Sequence, residues 1–288
     1  MSKTWRIVGT TIFWCVVVAY FVCALLLRAR NERERKVESI EVVVKDADQR
    51  GFITPEKVMD ILQNEGISIV GKSLDSLDLA TINKAIGEYC FTARSIAYVD
   101  YNGTLTIEVS QRAPLLRVST DSSHNFYLTR DGYVLPVEPH ATLNIPIVTG
   151  SLELPFGKSF EGNINEWLKD GEKKYRENYN FLSKLINFVV YLEESEWTGG
   201  ECVQINLVNP QSGNSKAIYN EPNIELVPRT GDYLVEFGKL DEVEEKMYRW
   251  RRFVEAKVVD MKGGTLNVEY EGQALWKAPK QTKKTEKK

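Results

Sequence analysis

Cysteine and histidine are scarce in this chain of 288 residues, which holds four of the first and two of the second. Cys15 and Cys23 fall inside an apolar run, so only Cys90 and Cys202 stand in the body, and no CxxC spacing joins them. Zinc and iron–sulfur sites need clustered thiolates or imidazoles, which this supply does not provide. A Cys90–Cys202 disulfide is not required. His124 and His140 fall in expected loops, away from any metal-spaced partner, and no GxSxG phrase marks a nucleophile. No repeat of fixed period is present. The expectation is a protein without cofactor, metal site or catalytic residues, and not an enzyme.

Two phrases imitate ligand loops. Gly66 to Ser73 (GISIVGKS) matches GxxxxGK[ST] in form. A phosphate loop follows a strand, wraps flexible backbone around the phosphates and opens a helix at its Lys. Here an expected helix comes first and the interior is stiff and apolar, so the stretch reads as a connector. Asp46 to Gly51 starts like a calcium loop but puts Arg50 at the third ligand and Lys57 where the bidentate Glu belongs. It reads as a solvated turn.

Charge is present in quantity but unevenly placed. The net charge is −3, yet residues 1–36 and 277–288 are basic, which leaves the body with 24 basic and 37 acidic side chains. An acidic body repels phosphate backbones, so nucleic acid is excluded as a partner, and nothing points to a small-molecule substrate. Ile7 to Leu27 lacks any charged side chain. At 1.5 Å per residue such a run covers roughly 30 Å, the thickness of a hydrocarbon core, and it leads into Arg28 and Arg30 with no cleavage signal. The expectation is a single transmembrane helix over 7–27, after a short cytoplasmic N-terminus at 1–6. Five basic residues after the run, against Lys3 and Arg6 before it, favour a cytoplasmic body by the positive-inside rule.

A basic juxtamembrane linker spans 28–36. Val37 to Lys45 alternates as a strand. Thr54-Pro55-Glu56 starts a helix with an N-cap, a first-turn proline and an acid facing the dipole, and Leu79 to Tyr89 has the spacing of a second. Ser95–Tyr101 and Thr104–Val109 are strands joined by Asn102-Gly103, a strong hairpin signal. The result is a β-α-α-β-β module. Beyond Pro114 come short strands at 115–118, 126–128 and 133–137, a helix over 175–192, strands at 203–208, 224–227 and 233–237, a helix over 241–256 and a final strand over 265–276. The fold class is α+β: one N-terminal transmembrane helix, a small β-α-α-β-β module, then a mixed β-rich domain with helices. A Lys-rich, disordered tail follows at 277–288.

The run Gly103-Thr104-Leu105-Thr106-Ile107-Glu108-Val109-Ser110-Gln111-Arg112-Ala113-Pro114, followed by Phe126-Tyr127-Leu128 and Gly132-Tyr133-Val134-Leu135-Pro136, resembles the bacterial cell-division family FtsQ/DivIB. Ile145 to Gly150, Ile224 to Arg229, and Val268-Glu269-Tyr270 with Gly272 and Trp276 extend the resemblance over most of 37–276. Thr129 stands where the family usually has Asp. The resemblance implies a POTRA domain at 37–113 and a family-type β domain at 114–276. It also implies a single-pass inner-membrane protein of the division septum, with a periplasmic body despite the charge asymmetry.

By the same resemblance the chain is a divisome scaffold with FtsB-like and FtsL-like partners and, through them, the septal peptidoglycan synthase complex. In relatives the last strand accepts a partner segment by strand addition, which points to Tyr270, Gly272, Gln273, Ala274, Leu275 and Trp276. The alternative for Tyr270 and Trp276 is packing on the domain's own core. Rival functions are another POTRA-bearing protein assisting secretion or outer-membrane assembly, and a membrane-anchored hydrolase.

Overall fold

The computed structural model describes residues 3–33, 35–47, 51–138, 143–154, 156–166, 176–197, 202–208, 221–257 and 259–279. The chain divides into two compact units, Met1–Gln111 and Arg112–Lys288.

The first unit opens with one long helix, α1 (Lys3–Arg33). The expected transmembrane helix at 7–27 is corrected here: among the described residues, no helix is long and apolar enough to cross a membrane. The single-pass membrane topology with a cytoplasmic N-terminus, which was built on that helix, falls with it.

The rest of this unit has the expected β-α-α-β-β order: β1 (Ser39–Lys45), α2 (Pro55–Asn64), a 3₁₀ turn, α3 (Leu79–Gly87), β2 (Thr92–Val99) and β3 (Thr104–Gln111). Thr54 caps α2 by accepting from the Lys57 amide at 3.2 Å, and Asp78 caps α3 by accepting from the Ala80 and Thr81 amides. These caps satisfy helix N–H groups that have no partner within the helix. The strands order as β1-β3-β2, with β1 parallel to β3. Leu105, Ile107 and Val109 of β3 are fully buried, as are Val58, Leu62, Ile82 and Ile86 of the helices. Gln111 ends β3 with its side-chain oxygen accepting from the Phe52 and Ile53 amides at 3.0 and 2.8 Å, which fixes the loop leading to α2.

The second unit is built on a ten-stranded sheet: β4 (Pro114–Thr120), β5 (Asn125–Thr129), β6 (Tyr133–Pro136), β7 (Ile147–Gly150), β8 (Gly162–Asn163), β9 (Cys202–Val208), β10 (Asn223–Pro228), β11 (Asp232–Gly238), β12 (Lys262–Asn267) and β13 (Leu275–Lys277). Their spatial order is β13-β12-β11-β10-β9-β7-β4-β5-β6-β8. One row of paired residues crosses seven of the strands: Val118, Val148, Ile205, Leu226, Val235, Leu266 and Trp276. All but Trp276 are fully buried. They share a core with α4 (Arg176–Glu194), through Phe181, Leu185 and Val189, and with α5 (Val243–Ala256), through Met247 and Trp250. Burying each such side chain is worth about 1.5–3 kcal/mol, so this row and its helices dominate the unit's cohesion.

Arg112 explains its place in the family-like phrase. Its guanidinium lies 3.2 Å over the Tyr133 ring and donates to Asp131 at 2.8 Å, pinning the turn between β5 and β6. Thr129 serves the same turn, donating to Asp131 and accepting from the Tyr133 amide at 2.8 Å. Helix α5 starts at Val243 rather than Asp241 because Glu242 adopts φ 46°, outside helical geometry.

Candidate functional site

The expected final strand over 265–276 is two strands. β12 keeps its parallel ladder with β11 as far as Val268, whose amide donates to the Glu236 carbonyl at 3.0 Å. The chain then turns through Tyr270–Gln273, with Gly272 at φ 71°, and returns as β13. A residue with a Cβ is strained at that φ, so the glycine is what permits the hairpin. From α5, Arg249 donates twice to the Val268 carbonyl, at 3.2 and 3.0 Å, and holds the base of the turn.

β13 presents two different faces. Trp276 continues the core row opposite Leu266 and is half-buried. Its indole stands edge-on to Tyr233 at 6.4 Å and stacks on Phe253 of α5 at 6.5 Å. Gly264 of β12 makes room for it, since a Cβ there would come within 2.3 Å of the indole and 2.6 Å of the Lys277 carbonyl. Leu275 and Lys277 point to the opposite face. Lys277 Nζ lies 3.0 Å from Glu236 Oε2, which also accepts from Asn267 Nδ2 at 2.5 Å. Partial burial pushes the Glu236 carboxyl up, but these two donors outweigh it, and the group titrates below the ordinary carboxylate value.

The six residues singled out from the sequence therefore lie on one hairpin, in two sets. Tyr270 (53% exposed), Gly272, Gln273 and Leu275 (42% exposed) face solvent, whereas Ala274 and Trp276 lie partly buried against the core. Sequence reasoning missed the residues that hold β13 in place: Tyr233, Phe253, Gly264, Glu236 and Lys277. The Gly263-Gly264 pair at the start of β12 was the one local signal, because glycine inside a strand marks close approach of another chain segment.

The other sequence candidates form no site. Gly66 and Gly71 take φ of 68° and 84°, Gly66 ends α2, and the Lys72 carbonyl accepts from the Val37 amide, so the loop's backbone serves its own module. No long helix opens at Lys72; only the three-residue 3₁₀ turn Leu74–Ser76 follows. His124 sits in the β4–β5 turn, where its Nδ1 lies 3.0 Å from Ser122 Oγ, and its Nε2 is buried with no partner among the described residues. His140 and residues 48–50 and 280–288 lie outside the described residues. Cys202 is buried in β9 and its thiol is pushed up to about 12 by that burial, so it stays protonated and unreactive at neutral pH. Among the described residues, no group of three metal-ligating side chains is found.

A family model for a POTRA-like domain matches residues 35–110, and one described as FtsQ/DivIB, C-terminal related, matches residues 113–275. The chain belongs to the FtsQ/DivIB family. No curated protein matches it. Members of this family are non-catalytic scaffolds, and a general scaffolding role with divisome-type partners is therefore the role of this FtsQ/DivIB chain. Family membership displaces the rival readings of a secretion or outer-membrane assembly factor and of a hydrolase.

Proposed function

We propose that this FtsQ/DivIB chain binds FtsB-like and FtsL-like division proteins by strand addition at β13, and through them helps to localise and regulate the septal peptidoglycan synthase complex. The observation that carries this reading is the position of β13. It ends the ten-stranded sheet, and among the described residues no strand pairs with its outer side. Three residues of edge cover only about 10 Å, so backbone pairing alone gives little affinity. Side chains must supply the rest. Tyr270 and Leu275 are exposed beside the edge and offer apolar anchors, which carry most of the energy in interfaces of this kind. Trp276 acts indirectly, by fixing the strand that the partner extends.

The test is co-purification of the FtsB/FtsL-like partner with a Tyr270→Ala/Leu275→Ala variant. The expected outcome is at least a tenfold loss of affinity, about 1.4 kcal/mol or more, with an unchanged thermal midpoint, because both side chains are exposed. Retained affinity would sink the reading.

A further inference from the structure

Beside the hairpin, but on the α5 side of the sheet, lies a groove of about 600 Å³. Its walls are aromatic. Trp197 meets Trp250 edge-to-face at 5.0 Å, and Trp250 Nε1 donates to the Tyr233 hydroxyl at 3.1 Å. Met261 completes the apolar lining, and Asp232 and Asp260 place two exposed carboxylates at the groove. Asp260 is 3.2 Å from Lys262, but both side chains are about three-quarters exposed. An ion pair of that kind is worth well under about 1 kcal/mol, so it does not bar a second cation.

Aromatic faces with carboxylates beside them suit an ammonium group on an apolar stem, which is a lysine side chain. The chain carries a source of such groups to the spot. β13 runs antiparallel to β12, and Pro279 follows it alongside, its ring 3.6 Å from where a Cβ on Gly263 would stand. Lys262 and Met261, the next residues along, line the groove. Residues 280–288 follow directly and hold Lys280, Lys283, Lys284, Lys287 and Lys288 against one acid, Glu286.

We propose that the groove is the docking site of the chain's own Lys-rich segment 280–288, which folds back onto it within the same molecule. Nine extended residues reach about 30 Å, ample for a groove whose edge begins beside Pro279. One lysine over an aromatic face and one or two exposed ion pairs give only millimolar binding to a detached peptide. Tethering supplies an effective concentration in that same range, which makes the docked state substantially occupied. Docking would lock the end of β13 onto β12, and it requires no partner at the sheet edge.

Indole N–H resonances of the full chain and of a chain ending at Pro279 test this. Trp197 and Trp250 are expected to shift on truncation and Trp5 and Trp14 to stay, and millimolar peptide of sequence 280–288 should restore the shifts. An Asp232→Asn/Asp260→Asn variant of the full chain should reproduce the truncated spectrum, and about 0.5 M salt should do the same, since exposed charge pairs are screened. Identical Trp197 and Trp250 resonances in the two chains would overturn the proposal. So would shifts that vanish on dilution of the full chain, which would make the occupant a second copy's segment.

Discussion

The two units treat their sheet edges in opposite ways. In the POTRA-like unit the outer strands are seven and eight residues long, and long edges invite pairing with other chains. They are guarded: β1 sets Ser39, Glu41 and Lys45 outward around an exposed Val43, and β2 carries an irregularity between Thr92 and Arg94 that breaks its register. Lys45, Glu108 and Tyr98 also tie the face of this sheet together, with Lys45 Nζ 2.6 Å from Glu108 and the Tyr98 hydroxyl donating to it at 3.1 Å. The second unit ends instead on a three-residue strand with regular register, flanked by exposed Tyr270 and Leu275. Edge length is therefore a poor guide to binding. What distinguishes β13 is that its support comes from behind, from Trp276 and Gly264, which leaves its outer side without a guard among the described residues.

The largest expected effect comes from removing that support. Gly264→Leu places side-chain atoms where the Trp276 indole and the Lys277 carbonyl now lie, so β13 should detach. Amide exchange at 275–277 should rise to loop rates and partner capture should be lost, while β1 to β3 keep their protection. Protected amides in that variant would show that Trp276 can move aside at no cost to the edge.

Trp276→Ala should cost less. The indole is only half-buried, so a loss of about 2 kcal/mol is expected rather than the 3–5 kcal/mol of a fully buried aromatic. Denaturant unfolding of the second unit measures it, and a loss under about 0.5 kcal/mol would mean that Trp276 is a contact residue and not a support.

A smaller effect follows from Glu236. Its folded-state pKa is depressed, so its contribution to holding Lys277 is complete above the ordinary carboxylate pKa and is lost as pH falls through the folded value. Exchange at 275–277, corrected for intrinsic rate, should increase below about pH 4.5, and Glu236→Gln should remove that dependence. The smallest effect is expected at the guarded edge. Arg94→Val leaves the β2 irregularity in place and should change stability by less than about 0.5 kcal/mol, with no gain of partner binding at the POTRA-like unit. Partner capture by that edge would erase the contrast between the two units.

Much of this fold was legible in the sequence because its signals are local. Thr54-Pro55 announces its helix, Asn102-Gly103 its hairpin, and the spacing of Tyr179, Leu182, Leu185, Ile186 and Val189 the long helix. β7 was not legible: four residues behind Pro146 carry no periodicity, and only pairing with β4 and β9 makes them a strand. The final hairpin reads from the sequence as one strand because Leu266, Val268 and Tyr270 alternate with polar residues, while the turn depends on one glycine dihedral. Lys277 reads from the sequence as part of the tail because a lysine beside a Lys-rich run has nothing local to distinguish it. Its partner Glu236 is 41 residues away.

The sequence by itself determined the element order of the POTRA-like unit, the scarcity of metal and catalytic groups, and the residues that carry the family resemblance, since each is set by neighbours within a few positions. Tertiary structure alone decided that Trp276 faces the core while Leu275 and Lys277 do not, that Gly264 is the space the indole needs, and that a three-residue strand ends the sheet. Those facts arise from register across distant strands, where shifting the pairing by one residue exchanges the two faces of a strand.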